Sequence, residues 1–156
     1  ENYGFDFKYY LAGDGVERNR IKTELERARF EWKFFGEISD RDKIEEFYPS
    51  LDVFVLTPIE LPTSVEGFGI AYLEANAYGI PVVASRTGGV PEAVKEKFSG
   101  KFADPKDPND IASKIVETLK NRKNYKTSAM NWAKRFDVGK TAKNFVEIYR
   151  EAASLL

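Results

Sequence analysis

The chain has 156 residues, 42% of them hydrophobic and 31% charged, enough apolar side chain for one packed domain and too much for a disordered one. Lys and Arg number 24 against 25 Asp and Glu, a net charge of -1, so the basic excess that a nucleic-acid surface needs is missing. With 0 Cys and 0 His, disulfide frameworks, Cys- or His-ligated zinc, Cys nucleophiles and Ser-His-Asp triads are excluded within this chain, whereas a carboxylate-only metal site stays open. No apolar run approaches the ~20 residues of a membrane-spanning helix, and nothing resembles a signal peptide. The expectation is a cytoplasmic protein without a transmembrane segment, with peripheral membrane association left open for a full-length form. The chain opens on Glu1 and enters a strand almost at once, which reads as a piece of a longer protein.

Phe7–Ala12 reads as a strand that Gly13-Asp14-Gly15 ends in a turn. Ile21, Leu25 and Ala28 then recur at helical spacing, with Glu17, Arg18, Lys22 and Glu26 facing outward. Lys33-Phe34-Phe35 is a short strand closed by Gly36, and Ser39 with Asp42 is an N-cap pair for a helix that reaches Phe47 or Tyr48 before Pro49. Val53–Leu56 is continuously apolar, as expected of a strand covered on both faces. A loop over 57–66 leads into a helix from Gly69 to Tyr78, ended by Gly79.

Pro81–Ala84 is the next buried strand, Thr87–Val90 a turn, and Pro91 the start of a short helix. Lys101–Ala103 is a last short strand. Asp107-Pro108-Asn109-Asp110 is a helix start whose apolar face is Ile111, Ile115 and Leu119. Two more helices follow, over Tyr125–Lys134 and along the stripe Ala142, Phe145, Val146, Tyr149, Ala152, Ala153. Strands alternating with helices through residue 119 predict an α/β fold, Rossmann-like, of three α/β/α layers around a mostly parallel sheet. Ligands of such sheets bind beyond the C-terminal strand ends, here the turns at 13–15, 36–40, 57–69 and 85–91.

Glu66-Gly67-Phe68-Gly69-Ile70 through Glu74 is the stretch most able to carry chemistry. Gly67 and Gly69 let backbone approach a ligand closely, and the unpaired N–H groups of a helix start suit an anion such as phosphate. Glu66 stands just outside this start and Glu74 a turn inside it. Two carboxylates cannot share a phosphate without repulsion, but they can accept hydrogen bonds from hydroxyls on either side of it. That geometry fits a sugar, a diphosphate and a ribose in line. The same residues admit a plainer reading, in which the acid complements the helix dipole and the mid-helix Glu is solvated.

The ordered set Leu11–Gly15, Phe35–Asp40, Asp52–Leu56, Glu66–Ala75, Gly79–Ser85, Gly88–Val94 and Ala103–Pro108 resembles retaining GT-B glycosyltransferases of family 4 (glycosyl transferases group 1), specifically their C-terminal, donor-binding domain. The resemblance covers most of the chain and implies the C-terminal half of a GT-B fold. It implies metal-independent hexosyl transfer from a nucleoside-diphosphate sugar, a substrate rather than a cofactor, to a hydroxyl acceptor. An N-terminal acceptor domain of the same protein would be the partner, and residues 1–156 alone would be inactive.

By position, Glu66 matches the family's first paired Glu, which contacts sugar hydroxyls. Phe68, Gly69 and Ile70 match the backbone that meets the sugar and distal phosphate, and Glu74 the ribose-binding Glu. Ile38 matches the residue bordering the base, and Thr87, Gly88 and Gly89 line the same edge, although a Gly-Gly turn also serves to redirect the chain. The resemblance allows a non-catalytic sugar-nucleotide-binding module or a sugar-nucleotide epimerase relative as alternatives. A nicotinamide-binding Rossmann domain is disfavoured, since Gly13-Asp14-Gly15-Val16-Glu17-Arg18 lacks the third Gly.

Two departures from the family pattern stand out. Neither the usual opening strand nor its Gly-Arg and Lys is found before Phe7, and the loop Thr57–Val65 is somewhat long. A sheet missing its central strand would expose unpaired backbone. The expectation for this chain alone is therefore self-association through that gap, between Phe7–Ala12 and Val53–Leu56.

Overall fold

The computed structural model describes residues 6–155. The chain divides at Pro49/Ser50 into two compact units, and between named strands every pairing is parallel. The first unit carries β1 (Lys8–Ala12), α1 (Arg18–Glu26), β2 (Glu31–Gly36) and α2 (Asp40–Asp42), the last continuing as a π-helix over Lys43–Phe47, and a 3-10 turn over Tyr48–Ser50 spans the boundary. The second carries β3 (Phe54–Leu56), α3 (Ile70–Ala77), β4 (Val82–Ala84), α4 (Val90–Ala93), β5 (Gly100–Phe102), α5 (Pro108–Lys120), α6 (Arg122–Ala133), a 3-10 turn (Lys134–Phe136) and α7 (Val138–Ala153).

In the first unit β1 pairs with β2 from Lys8↔Glu31 to Ala12↔Gly36, and the ladder is prolonged by Gly13 N–H donating to Gly36 O at 2.7 Å. The 13–15 turn is organised by Asp14, which accepts from Gly15 N–H at 2.7 Å and pairs with Arg18 at the start of α1. Ser39 caps α2 as its sequence predicts, its Oγ accepting from Asp42 N–H at 3.1 Å. Beyond this cap Tyr48 N–H reaches back to Lys43 O, five residues away, a wide turn that leaves Phe47 and Tyr48 both buried.

In the second unit the strand order is β3-β4-β5. Val82, Val83 and Ala84 have no exposed surface. Because successive strand side chains point to opposite faces, β4 is covered on both sides, as the three-layer expectation requires. α3 packs against α6 and the strands β3 and β4, while α5 covers β4 and β5. Asn76 of α3 donates to Ile80 O at 2.9 Å and Ser99 O at 3.0 Å, tying the helix end to the segment before β5. Asp107 caps α5 through Asn109 N–H at 2.9 Å, and Lys101 of β5 pairs with Glu117 of α5 at 2.7 Å. That pair holds the Lys101 amine above and the Glu117 carboxyl below their ordinary ranges, chiefly through the hydrogen bond between them.

Two sequence expectations are corrected. The single sheet is found as two ladders, β1-β2 and β3-β4-β5, because no described strand pairs with both β1 and β3. β3 is not covered on both faces: Val55 is exposed, since β3 is the edge of its ladder and only β4 is central. Every described residue of α7, its apolar stripe included, is exposed. Among the described residues no helix is long and apolar enough to cross a membrane.

Candidate functional site

The parallel pairing of β3 with β4 brings the loop after Leu56 and the loop after Ala84 to one edge of the sheet. Ser85 and Thr87, both buried, donate their hydroxyls to the Pro58 carbonyl at 2.6 and 3.1 Å. Ser85 Oγ, 3.2 Å from Thr87 Oγ1, is the alternative acceptor for the one Thr87 hydroxyl proton. Leu61 and Ser64 exchange two backbone hydrogen bonds, so the 57–66 loop contains its own tight turn around Pro62 and Thr63.

The glycines at 88 and 89 exist for contact as much as for direction. Gly88 has φ +51°, and a Cβ there would overlap the Glu66 carbonyl and lie 2.7 Å from Val65 Cγ2. A Cβ on Gly89, whose φ of -85° is ordinary, would overlap the Gly67 carbonyl oxygen. Gly89 N–H donates to Glu66 O at 3.1 Å. The two loops therefore meet backbone against backbone, and only residues without side chains permit it.

Gly69 begins α3 in the left-handed region, φ +88°, with no side chain capping the helix. The first N–H groups of α3 are thus presented at the loop-bearing edge, where the helix dipole favours an anion. Ile70, the first residue of α3, is 66% exposed. Tyr72, Ala75 and Asn76 form the buried arc. Helical phase places Glu74 roughly 40° around from Ile70 and nearly opposite that arc, and Glu74 is half-buried. Glu66 is half-buried just before the helix, and the Phe68 ring packs on Phe136 at 5.6 Å between centroids.

The structure thus brings Glu66, Phe68, Gly69, Thr87, Gly88 and Gly89 together at one edge, with Ile70 and Glu74 on the helix that leaves it. Ile38 belongs to the first unit, in the turn from β2 to α2, where it is half-buried. The Thr87 hydroxyl is committed to anchoring the loop. An open cleft of about 530 Å³ adjoins the edge and shares only Thr87 with the candidate set, its other walls including Glu60, Arg86, Phe102 and Lys106. Among the described residues no group of three or more acidic side chains converges to hold a metal ion.

Three contributors were invisible in the sequence. Ser85 reads as the residue after a strand, Phe136 meets Phe68 across 68 positions, and Tyr72 reads as a core aromatic. The Tyr72 hydroxyl donates to Leu56 O at 2.7 Å. Burial, and then the negative charge of Glu66, push the phenol pKa far up, so it remains a donor throughout the working range of a protein.

Parallel strands alternating with helices, with the built loops gathered at the C-terminal strand ends, define a Rossmann-like α/β protein. The chain belongs to the glycosyl transferases group 1 family, whose sequence model matches residues 3–135. An uncharacterized glycosyltransferase of Methanocaldococcus jannaschii is 30% identical over 154 residues, 94% of this chain and 41% of that protein. The D-inositol 3-phosphate glycosyltransferase of Corynebacterium urealyticum is 32% identical over 149 residues, 92% of this chain and 34% of that protein. Among solved structures, HepE of Anabaena in complex with UDP and glucose superimposes with a TM-score of 0.70 at 26% identity, over 91% of this chain and 40% of HepE. Sucrose-phosphate synthase of Thermosynechococcus elongatus gives 0.73 at 26% identity, over 97% of this chain and 39% of that one. The chain therefore spans about two fifths or less of the length of these proteins.

Proposed function

We propose that residues 1–156 are the donor-binding domain of a retaining GT-B glycosyltransferase of family 4, which moves a hexose from a nucleoside-diphosphate sugar to a hydroxyl acceptor without a metal ion. An N-terminal domain of the same protein would bind the acceptor. The observation that carries this reading is the uncapped, glycine-led start of α3, with Glu66 before it and Glu74 a turn inside it. The helix start takes the diphosphate and stabilises it as it leaves. Glu66 holds sugar hydroxyls, Glu74 the ribose hydroxyls, and Phe68 to Ile70 supply the backbone between them. Ile38 is assigned to the base, and the 87–89 turn lines the edge that carries Glu66.

Calorimetric titration of the 156-residue chain with UDP-glucose, ADP-glucose and GDP-mannose, in excess chelator, tests the reading. One of the three binds with high-micromolar affinity at best, and none is turned over. The full-length protein transfers the sugar under the same chelation, with the product anomer retained by NMR. Nanomolar binding refutes the expectation of weak binding by the 156-residue chain alone, and turnover by it refutes the division into donor and acceptor domains. Inversion, or loss of full-length activity with chelator, refutes the retaining or metal-independent mechanism.

A further inference from the structure

Tyr72 ties together the two ends of the loop that carries Glu66. Its hydroxyl holds the carbonyl of Leu56, the last residue of β3 before the loop, at 2.7 Å. Its ring lies directly under Gly69, the last residue of the loop, where a Cβ would overlap the ring carbons Cδ2 and Cε2. The ring is fully buried and packs edge-on against Phe54 of β3 at 6.0 Å. A phenylalanine would fill the same space without burying a hydroxyl, and a buried hydroxyl is costly unless it is used. Here it is used on a single strand-end carbonyl, at the point where the chain leaves the sheet.

We infer that Tyr72 is a positioning residue: it clamps the base of the 57–69 loop and so sets where Glu66 stands relative to the start of α3. The inference rests on the assignment of Glu66 to the donor sugar. The clamp has two separable parts. The ring supports Gly69 and the helix start, assigned to the diphosphate, while the hydroxyl fixes the strand end from which the sugar-side loop departs. The raised pKa of the phenol, owed first to burial and then to the charge of Glu66, agrees with this arrangement.

Tyr72→Phe keeps the ring and removes only the hydroxyl. The test uses the full-length protein, with UDP and UDP-glucose as probes and Glu66→Gln as reference. Amide hydrogen exchange is followed over 57–68 and, as a control, over α7. Loss of one neutral hydrogen bond corresponds to about a fivefold change in a local equilibrium. Tyr72→Phe should therefore speed exchange over 57–68 about fivefold and leave α7 unchanged. It should lower the ratio of UDP-glucose to UDP affinity by a similar factor while leaving UDP affinity itself intact. Tyr72→Leu, which also withdraws the ring from Gly69, should weaken UDP as well.

Unchanged exchange over 57–68 in Tyr72→Phe overturns the clamp. Faster exchange with an unchanged affinity ratio, where Glu66→Gln does lower that ratio, overturns the positioning role. If Glu66→Gln also leaves the ratio unchanged, the assignment of Glu66 to the sugar is what fails, and exchange alone decides whether Tyr72 holds the loop.

Discussion

Gly89→Ala is expected to lower the thermal unfolding midpoint by roughly 6–12 °C, corresponding to about 3 kcal/mol for a chain of this size. The methyl group would overlap the carbonyl oxygen of Gly67 and lie 3.2 Å from Phe68 Cα. These neighbours are backbone atoms, which cannot turn aside as a flexible side chain could. Relief must separate the 66–68 segment from the 87–89 turn and stretch the bond from Gly89 N–H to Glu66 O. The backbone φ of Gly89 is -85°, so the cost is contact and not an alanine in a forbidden conformation. Gly67→Ala is the control, because its Cβ meets nothing within 4 Å, and a shift within about 0.5 kcal/mol is expected there. Equal midpoints for the two variants would show that the loops do not meet as described.

The second large effect concerns the division of labour between the carboxylates. In the full-length protein Glu66→Gln should weaken UDP-glucose, or whichever sugar nucleotide is the donor, while leaving the bare nucleoside diphosphate nearly unaffected. Glu74→Gln should weaken both. A hydrogen bond to a charged group is worth about 1.5–3 kcal/mol, so each loss is roughly 10- to 150-fold where its contact exists. Both residues are half-buried, and the amide keeps their shape. Titration with sugar nucleotide and nucleoside diphosphate in parallel separates the two roles. Equal losses of nucleoside diphosphate affinity in both variants would remove the assignment of Glu66 to the sugar and Glu74 to the ribose.

What could be read from the sequence was whatever local chemistry decides. Asp107 followed by Pro108 announced α5, and the cap is in place. Ser39 and Asp42 did the same for α2. The apolar stretch after Gly69 gave α3, and Gly88-Gly89 marked a turn. Local chemistry could not show that these two glycines press on residues 66–68, which depends on two strands lying side by side. It could not show the wide turn at Lys43–Phe47, which follows from burying Phe47 and Tyr48 together. Val53–Leu56 looked like a central strand because its composition is that of one. Being central depends on what pairs with it, and in its own ladder β3 has a neighbour on one side only. Tyr72 is core, as an aromatic there suggests, but an aromatic on the buried face of a helix carries no mark of what its hydroxyl will hold. The clustering of Glu66, Phe68 and Gly69 was legible because they are consecutive. Their junction with 87–89 was legible only as an expectation of the parallel fold.

The exposure of α7 makes the chain's stability uneven. A helix of 16 residues with no buried residue draws little from tertiary packing, and most helical stability in proteins comes from such packing. Its cap, Asp137 accepting from Gly139 and Lys140 N–H, fixes where it begins but does not hold it to the rest. In this chain α7 can therefore open and re-form without disturbing the sheet, a small cooperative unit of its own. Val82–Ala84, by contrast, are lost only when the whole second unit unfolds. The transition that a heating curve of this chain records accordingly belongs to residues before Asp137, and the last helix melts ahead of it, gradually and unseen by probes of the core.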